Sequence, residues 1–384
     1  MIENQIKFGN KDREFQVFVK PVGSVCNLSC RYCNYLKKGD RPESCMSDEI
    51  LEKYIIQHLE ASTDQLIMFS WHGGEPAMAG IDFFRKVVRI QQKNILPGRV
   101  ILNGMQTNGT LLDDEWCEFL AREKFIIGLS LDGPEKFHDL YRSTKNHKPT
   151  FREVLKAFEL LRKYIIVTEI LCVVNAENVK FPGEVYEFFR QMGVMYISFL
   201  PLVQPLASGE GRVNSISVPA EAYGNFLCEI FDEWIEKDIG NIKIQIFEEV
   251  IRTAFSQDHT LCIFKPICGG VPVIDHNGDF YSCDHFVNSD HLIGNIMETS
   301  LSEMLDSEKQ HAFGRVKADT LPQYCLRCDV RQMCHGECPK NRFIKTPEGE
   351  EGLNYLCAGY KQFFSHCKPF IKSVTEAWHN QNRK

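Results

Sequence analysis

Three cysteines near the start of the sequence have a spacing that could bind iron or zinc. Cys26, Cys30 and Cys33 are separated by three and then by two residues, in the stretch "VCNLSCRYCNY". A structural zinc site normally closes with four protein ligands, and this stretch offers no fourth Cys or His. An iron-sulfur cube held by three thiolates leaves one iron open to a small molecule. The spacing therefore favours an open iron-sulfur site, with zinc as the alternative.

The other clustered cysteines lie in the C-terminal third of the chain. The sequence contains 16 cysteines, and clustered thiols in a reducing compartment more often hold metal than form disulfides. The run "CLRCDVRQMCHGEC" has ligand-like spacings of two, five and three residues. Two zinc knuckles or iron-sulfur sites are both compatible with this pattern.

Composition narrows the setting of these sites. A chain of 384 residues with 43% hydrophobic residues can form a barrel-sized core plus a smaller domain. A net charge of −7 gives no reason to expect a nucleic acid partner. The first fifteen residues contain no apolar stretch suited to a signal peptide, and no later run is long enough to cross a bilayer. We therefore expect a cytoplasmic protein with no membrane contact.

The first half of the chain repeats a strand, a loop and a helix. Six short apolar runs read as buried parallel strands; they span residues 15–22, 65–73, 99–109, 125–133, 168–175 and 196–203. Helical patterns lie between them, one beginning after Ser47 as an N-cap. The pattern predicts an α/β fold, a partial (β/α)6 TIM-like barrel, whose reactive groups should lie at the C-terminal ends of the strands. Beyond about residue 257 we expect a separate small domain held together by metal, without a large apolar core of its own.

The three-cysteine stretch resembles the radical S-adenosylmethionine enzymes. Their signature is Cys-x3-Cys-x2-Cys with an aromatic residue before the last cysteine, which Cys26, Cys30, Tyr32 and Cys33 match in full. The resemblance implies that the fourth iron of a 4Fe-4S cluster binds the amino and carboxylate groups of S-adenosylmethionine. One electron then splits this cofactor to give a 5′-deoxyadenosyl radical.

The same resemblance implies cofactor-binding residues at the ends of the next strands. The glycines of "GGEP" could let the backbone approach the methionine part of the cofactor, and Arg142 could pair with its carboxylate. Ser and Asp after a strand are also common turn formers, so Ser130 and Asp132 could instead serve only to form a turn. The predicted cofactor-binding residues are Gly73, Gly74, Glu75, Asn108, Ser130, Asp132 and Arg142.

The C-terminal cysteines resemble the SPASM extension of radical enzymes, which holds two further 4Fe-4S clusters. By that resemblance the nearer auxiliary cluster is bound by Cys262, Cys268, Cys283 and Cys338. The farther cluster is bound by Cys325, Cys328, Cys334 and Cys357. The predicted division is a radical SAM barrel at residues 1–235, a SPASM domain at 236–365 and a C-terminal helix and tail at 366–384.

Within the SPASM group, nearly the whole chain resembles the anaerobic sulfatase-maturating enzymes, through stretches such as "WHGGEPAMAG", "GLSLDGPEKFHDLYR" and "GLNYLCAGYKQFF". Those enzymes oxidise a Ser or Cys in a Cys/Ser-x-Pro-x-Arg stretch of a sulfatase to Cα-formylglycine. The resemblance implies an unfolded or nascent sulfatase polypeptide as substrate and a flavodoxin or ferredoxin-type electron donor.

The resemblance also assigns the substrate site. Asp284 takes the role of general base, and Tyr35 and His72 contact the substrate peptide. Asp284 could instead only cap a turn, and His72 could only satisfy a buried polar group. The alternative functions are a SPASM radical enzyme that cross-links or oxidises a different ribosomal peptide, and a zinc-binding protein without catalysis.

Overall fold

The computed structural model describes residues 15–33, 35, 45–206 and 211–381. The expectation of no signal peptide concerns the first fifteen residues, of which 1–14 lie outside the described part of the chain. Within the described ranges no helix is long and apolar enough to cross a membrane.

The strands form one sheet. In chain order β1 to β10 span Phe18–Val19, Leu66–Trp71, Val100–Thr107, Ile126–Ser130, Thr168–Val174, Tyr196–Pro201, Lys243–Ile244, Val273–Ile274, Asp279–Tyr281 and Leu292–Asn295. Their order across the sheet is β10-β9-β8-β1-β2-β3-β4-β5-β6-β7. Strands β1 to β7 run parallel to their neighbours, and β9 and β10 are antiparallel. The six predicted strands and the partial parallel barrel are confirmed.

Helices cover the outer face of this sheet. In chain order α1 to α13 span Asp48–Ala61, Ile81–Asn94, Asp114–Arg122, Glu135–Tyr141, Phe151–Lys163, Pro182–Gln191, Ala220–Lys237, Gln245–Ala254, Leu301–Leu305, Glu308–Asp319, Gln323–Leu326, Arg331–Cys334 and Cys357–Gln381. Ser47 caps α1 as predicted, because its side chain accepts a hydrogen bond from the Ile50 amide. Short 3-10 turns span Pro76–Ala79, Asn178–Lys180, Asp284–Phe286, Ser289–His291 and Pro339–Asn341.

The C-terminal region packs directly against the barrel, and its expected dependence on bound metal stays a prediction. Strand β8 pairs in parallel with β1, so that Phe18 lies opposite Val273. Ile274 and Phe280 are fully buried in the same hydrophobic cluster as the barrel strands. Local periodicity could not reveal this, since the pairing joins segments far apart along the chain. The region therefore shares the core of the barrel.

Two elements cross the predicted domain boundaries. Strand β7 lies beyond residue 235 and extends the barrel sheet beside β6. Helix α13 begins at Cys357, before the predicted start of the C-terminal tail, and packs on α7 through Phe363 and Phe231, whose ring centroids are 5.7 Å apart. The division into three parts stays a prediction.

Candidate functional site

The three-cysteine loop follows β1 at the C-terminal end of the barrel strands. Cys26, Cys30 and Cys33 are half-buried and lie close enough for their charges to interact. The Leu28 amide donates to Cys26 Sγ at 3.4 Å, which orients this sulfur. Burial raises the pKa of the Cys26 thiol to about 12, so the thiol keeps its proton unless a metal displaces it. Three converging soft donors fit an iron-sulfur cluster with one open iron.

The "GGEP" turn is built against this loop. A Cβ on Gly74 would lie 1.9 Å from the Val25 carbonyl oxygen, so only glycine fits. The Gly74 amide donates to the Gly23 carbonyl and the Glu75 amide to the Val25 carbonyl, both at 2.9 Å. The glycines therefore let the backbone of the turn pack closely against the backbone of the cysteine loop. Their contact with S-adenosylmethionine stays a prediction.

Glu75 is buried and its carboxylate is engaged with protein groups. It accepts hydrogen bonds from the Thr107 hydroxyl at 2.7 Å and from the Asn108 amide at 2.7 Å. Asn108 in turn donates through its side chain toward Cys26 Sγ at 3.7 Å. These bonds position the loop after β3 beside the first cysteine, and a cofactor contact by Glu75 or Asn108 stays a prediction.

Asp132 and Arg142 converge on the aromatic residue of the cysteine motif. Tyr32 donates to Asp132 Oδ2 at 2.5 Å, and Arg142 Nη1 donates to the Tyr32 oxygen at 2.7 Å. Within the described part of the chain, Arg142 Nε is buried without a hydrogen-bond partner. An unsatisfied buried donor is costly, so this atom fits the predicted carboxylate of S-adenosylmethionine. Ser130 is half-buried at the end of β4.

A second cluster of polar side chains joins the cysteine loop to the C-terminal region. Tyr35 donates to Asp284 Oδ2 at 2.6 Å and lies 3.1 Å from His72 Nδ1. Lys20 Nζ lies 2.6 Å from Asp284 Oδ1 and 4.5 Å from the centre of the Tyr35 ring. The structure thus brings the three predicted substrate-site residues together, and adds Lys20.

Burial and charge fix the protonation of this cluster. Burial alone would raise the pKa of Asp284, but the positive charge of Lys20 holds that pKa well below its usual range. Burial lowers the pKa of His72, so its imidazole is neutral. Because the Tyr35 hydroxyl donates to Asp284, the contact with His72 requires the tautomer with its proton on Nδ1. The lowered pKa of Asp284 means that its side chain is an ionised carboxylate.

Sequence reasoning did not find Lys20. The available signal was a lysine inside a buried apolar run, "FQVFVKPV", because a buried lysine normally needs a partner. The partner, Asp284, lies so far along the chain that no local pattern connects the two.

The eight C-terminal cysteines form the two groups expected from the resemblance. In the nearer group burial and the proximity of Cys262 and Cys268 raise the pKa of the Cys283 thiol, and burial and the proximity of Cys283 and Cys268 raise that of Cys338. The farther group lines one cavity, whose cysteines are Cys325, Cys328, Cys334 and Cys357. Among the described residues, no three Cys, His, Asp or Glu side chains converge closely enough to share one metal ion. In a four-iron cube each thiolate binds its own iron, so the four sulfurs lie farther apart than the ligands of a single metal ion. The assignment of these cysteines as ligands stays a prediction.

Comparison with known proteins agrees with this arrangement. Residues 21–189 match the model of the radical SAM superfamily, and residues 262–329 match that of the SPASM iron-sulfur cluster-binding domain. A serine-type anaerobic sulfatase-maturating enzyme of Bacteroides thetaiotaomicron is 44% identical over 95% of this chain and 92% of its own length. A cysteine-type enzyme of Clostridium perfringens is 33% identical over 93% of this chain and 97% of its own length. The solved structure of native anSMEcpe with bound AdoMet and Cp18Cys peptide superposes with a TM-score of 0.86 at 32% identity, covering 94% of this chain and 99% of that one.

The partial parallel barrel, its three-cysteine loop and its cysteine-rich extension define a radical S-adenosylmethionine enzyme with a SPASM domain. Its cofactors are S-adenosylmethionine and three 4Fe-4S clusters. Within this class, the chain belongs to the anaerobic sulfatase-maturating enzymes. The radical SAM and SPASM expectations are confirmed, and the zinc-binding alternative is wrong.

Proposed function

We propose that this protein oxidises a Ser or Cys in the Cys/Ser-x-Pro-x-Arg stretch of a sulfatase to Cα-formylglycine. The observation that carries the proposal is the position of Asp284. It is bonded to Tyr35 from the three-cysteine loop and to Lys20 at the end of β1, and it directly follows Cys283 of the nearer auxiliary group. As the proposed base, Asp284 would lie between the three-cysteine loop and the nearer auxiliary cysteines.

When bound, the clusters supply the electron that cleaves S-adenosylmethionine to a hydrogen-abstracting 5′-deoxyadenosyl radical, and an acceptor for the electron that leaves the substrate. Arg142 offers its free Nε to the carboxylate of the cofactor. The Glu75 carboxylate accepts from the backbone amide of Asn108 and so positions this residue, whose side chain lies beside Cys26.

Asp284 is the group that takes the substrate proton. After hydrogen leaves the substrate Cβ, the carbon radical must lose one electron and its hydroxyl or thiol must lose one proton. Serine then gives the aldehyde directly, whereas cysteine gives a thioaldehyde that water converts to the aldehyde with release of hydrogen sulfide. An ionised carboxylate can accept that proton if the heteroatom lies within hydrogen-bond reach. Tyr35 and Lys20 fix its two oxygens, and His72 lies beside Tyr35, where it can contact the peptide.

The substrate and partners follow from this chemistry. The target side chain must enter the barrel to reach Asp284, so we infer an unfolded or nascent sulfatase segment. A flavodoxin or ferredoxin-type protein is the proposed electron donor. We place the reaction in the cytoplasm, because reduced thiols are maintained there.

The proposal is tested with the anaerobically reconstituted full chain, dithionite, S-adenosylmethionine and two peptides with Ser or Cys before x-Pro-x-Arg. We expect an aldehyde product with stoichiometric 5′-deoxyadenosine, and the Ser and Cys peptides compared in the same assay reveal the preferred residue. Cys30→Ala is the control and should abolish cofactor cleavage. If deoxyadenosine forms while both peptides stay unchanged, the sulfatase assignment is wrong and a different peptide is the substrate.

A further inference from the structure

A lysine is completely buried beside the nearer auxiliary cysteines. Lys317, in α10, has no exposed surface. Its ammonium group donates to the carbonyl oxygens of Cys262 at 2.9 Å and Ile263 at 2.7 Å. Its charge also interacts with the sulfurs of Cys268 and Cys338. The ammonium group of Lys317 therefore lies against one side of the nearer thiol group.

A second cation lies between the two auxiliary groups. Arg342 donates through Nη1 to the carbonyl oxygen of Lys317 at 2.6 Å. Its charge interacts with Cys268 of the nearer group and with Cys325 and Cys334 of the farther group. The guanidinium is thus shared by both groups of thiols.

Arg342 also holds the turn that separates the two groups. His335, Gly336 and Glu337 are three consecutive residues with positive φ, at 46°, 71° and 52°. Arg342 donates to the carbonyl oxygens of His335 and Gly336, both at 2.9 Å. A left-handed conformation is unfavourable for His and Glu, so this turn needs such support. It reverses the chain and directs Cys334 and Cys338 into different groups.

One acid partly offsets the two cations. Glu337 is buried, and its carboxylate accepts hydrogen bonds from Asn354 at 2.5 Å and Asn341 at 3.2 Å. Its charge interacts with Lys317. Lys317 and Arg342 thus lie with this one acid beside eight thiols, a group that is strongly anionic once deprotonated.

We propose that Lys317 and Arg342 form a cationic bridge that raises the electron affinity of the nearer auxiliary site. The reduction potential of an iron-sulfur site depends on nearby charge and hydrogen bonds. The site that receives the substrate electron gains one negative charge, and a buried cation stabilises that charge more than an exposed one would. The inference depends on the proposed function in one respect, namely that the nearer auxiliary site accepts the electron from the substrate.

The test measures potential directly and needs no peptide. In a Cys26→Ala, Cys30→Ala, Cys33→Ala background only the auxiliary sites can bind clusters. Their redox titration is followed by electron paramagnetic resonance, and no signal from the third cluster overlaps with theirs. Lys317→Met removes the charge at similar length, and Lys317→Arg keeps it. We expect a more negative midpoint for one auxiliary site in Lys317→Met and a midpoint near that of the parent in Lys317→Arg.

Iron content separates a charge effect from a packing effect. Loss of iron in Lys317→Met with rescue in Lys317→Arg also supports the bridge, because the anionic site then needs the cation. Equal iron loss in both variants, or an unchanged midpoint with full iron in Lys317→Met, would overturn it. If Lys317→Met does not fold, Lys317→Gln keeps a donor for the two carbonyl groups without charge and must show the same negative shift.

In the full chain with intact Cys26, Cys30 and Cys33, Lys317→Met should form 5′-deoxyadenosine at the parent rate but oxidise less peptide per deoxyadenosine. If the sulfatase assignment is wrong, the shift in midpoint potential in Lys317→Met is still expected. The two hypotheses are therefore tested separately.

Discussion

The ammonium group of Lys20 lies 2.6 Å from Asp284 Oδ1. The lysine directly follows the first barrel strand and the aspartate lies in the turn after the antiparallel strand β9, so the contact connects the two halves of the molecule. Only 3% of the Lys20 side chain and 15% of the Asp284 side chain are exposed. With one carboxylate oxygen held by Lys20 and the other by Tyr35, Asp284 is held in one orientation and in its ionised form.

Removing this lysine should affect peptide oxidation more than cofactor cleavage. Lys20→Met leaves a buried carboxylate without its cation, which is strongly unfavourable. We expect peptide oxidation to fall roughly 10-fold or more, a loss of about 1.4 kcal/mol or more in transition-state stabilisation, while iron content and 5′-deoxyadenosine formation persist. Lys20→Arg keeps the charge and should recover part of the activity. Equal activity of Lys20→Met and the parent protein would show that Lys20 does not position Asp284.

Neutralising Asp284 should stop peptide oxidation without stopping cleavage of S-adenosylmethionine. Asp284→Asn keeps the size of the side chain but removes the proton acceptor, and general-base catalysis typically contributes about 10²- to 10⁴-fold. We expect full iron content, normal cofactor cleavage and loss of most peptide oxidation, measured by peptide mass and 5′-deoxyadenosine in one assay. Asp290→Asn, an exposed position after the same turn, is the matched control. Full activity of Asp284→Asn would remove Asp284 from the role of base.

The fold and the cysteine groups could be predicted from local patterns, whereas several contacts could not. Apolar runs identify buried strands, and the spacing around Cys26 or Cys325 identifies metal ligands, because both signals lie within a few residues. The contact of Lys20 with Asp284, and the pairing of β8 with β1, depend on long-range packing. Nor does the sequence disclose the turn at His335, since non-glycine residues rarely adopt positive φ and only the contacts of Arg342 explain it.

Gly74 provides a test of the packing beneath the cysteine loop. In Gly74→Ala the new Cβ would lie 1.9 Å from the Val25 carbonyl oxygen, whereas carbon–oxygen contacts are normally about 3.3 Å or longer. The loop must move, and we expect loss of about four iron atoms, the content of one cube, together with loss of cofactor cleavage. Gly183→Ala in α6, where the nearest atom to a new Cβ is a Glu229 side-chain oxygen at 3.4 Å, should keep all iron. A fully loaded, active Gly74→Ala protein would contradict the close approach.

A buried histidine in α1 should make the protein sensitive to mild acid. His58 is 1% exposed, bonds to the Tyr54 hydroxyl at 3.0 Å and stacks on Phe69. Burial lowers its pKa to about 3, against about 6.5 in an unfolded chain. Since the folded state then binds fewer protons than the unfolded one, this contribution to stability is complete above about pH 6.5 and is lost as the pH falls toward about 3.

The loss attributable to His58 approaches about 1.4 kcal/mol per pH unit well below pH 6.5. It can be measured as the shift in unfolding midpoint of the anaerobically loaded protein between pH 7.5 and 5.5. His58→Asn removes the titrating group, so its midpoint should be lower at pH 7.5 but should fall less with acid. His379→Asn, at an exposed position in α13, should keep the steeper pH dependence of the parent protein. If His58→Asn and the parent lose stability in parallel, the imidazole of His58 does not stay neutral in the folded state, and the acid sensitivity arises elsewhere.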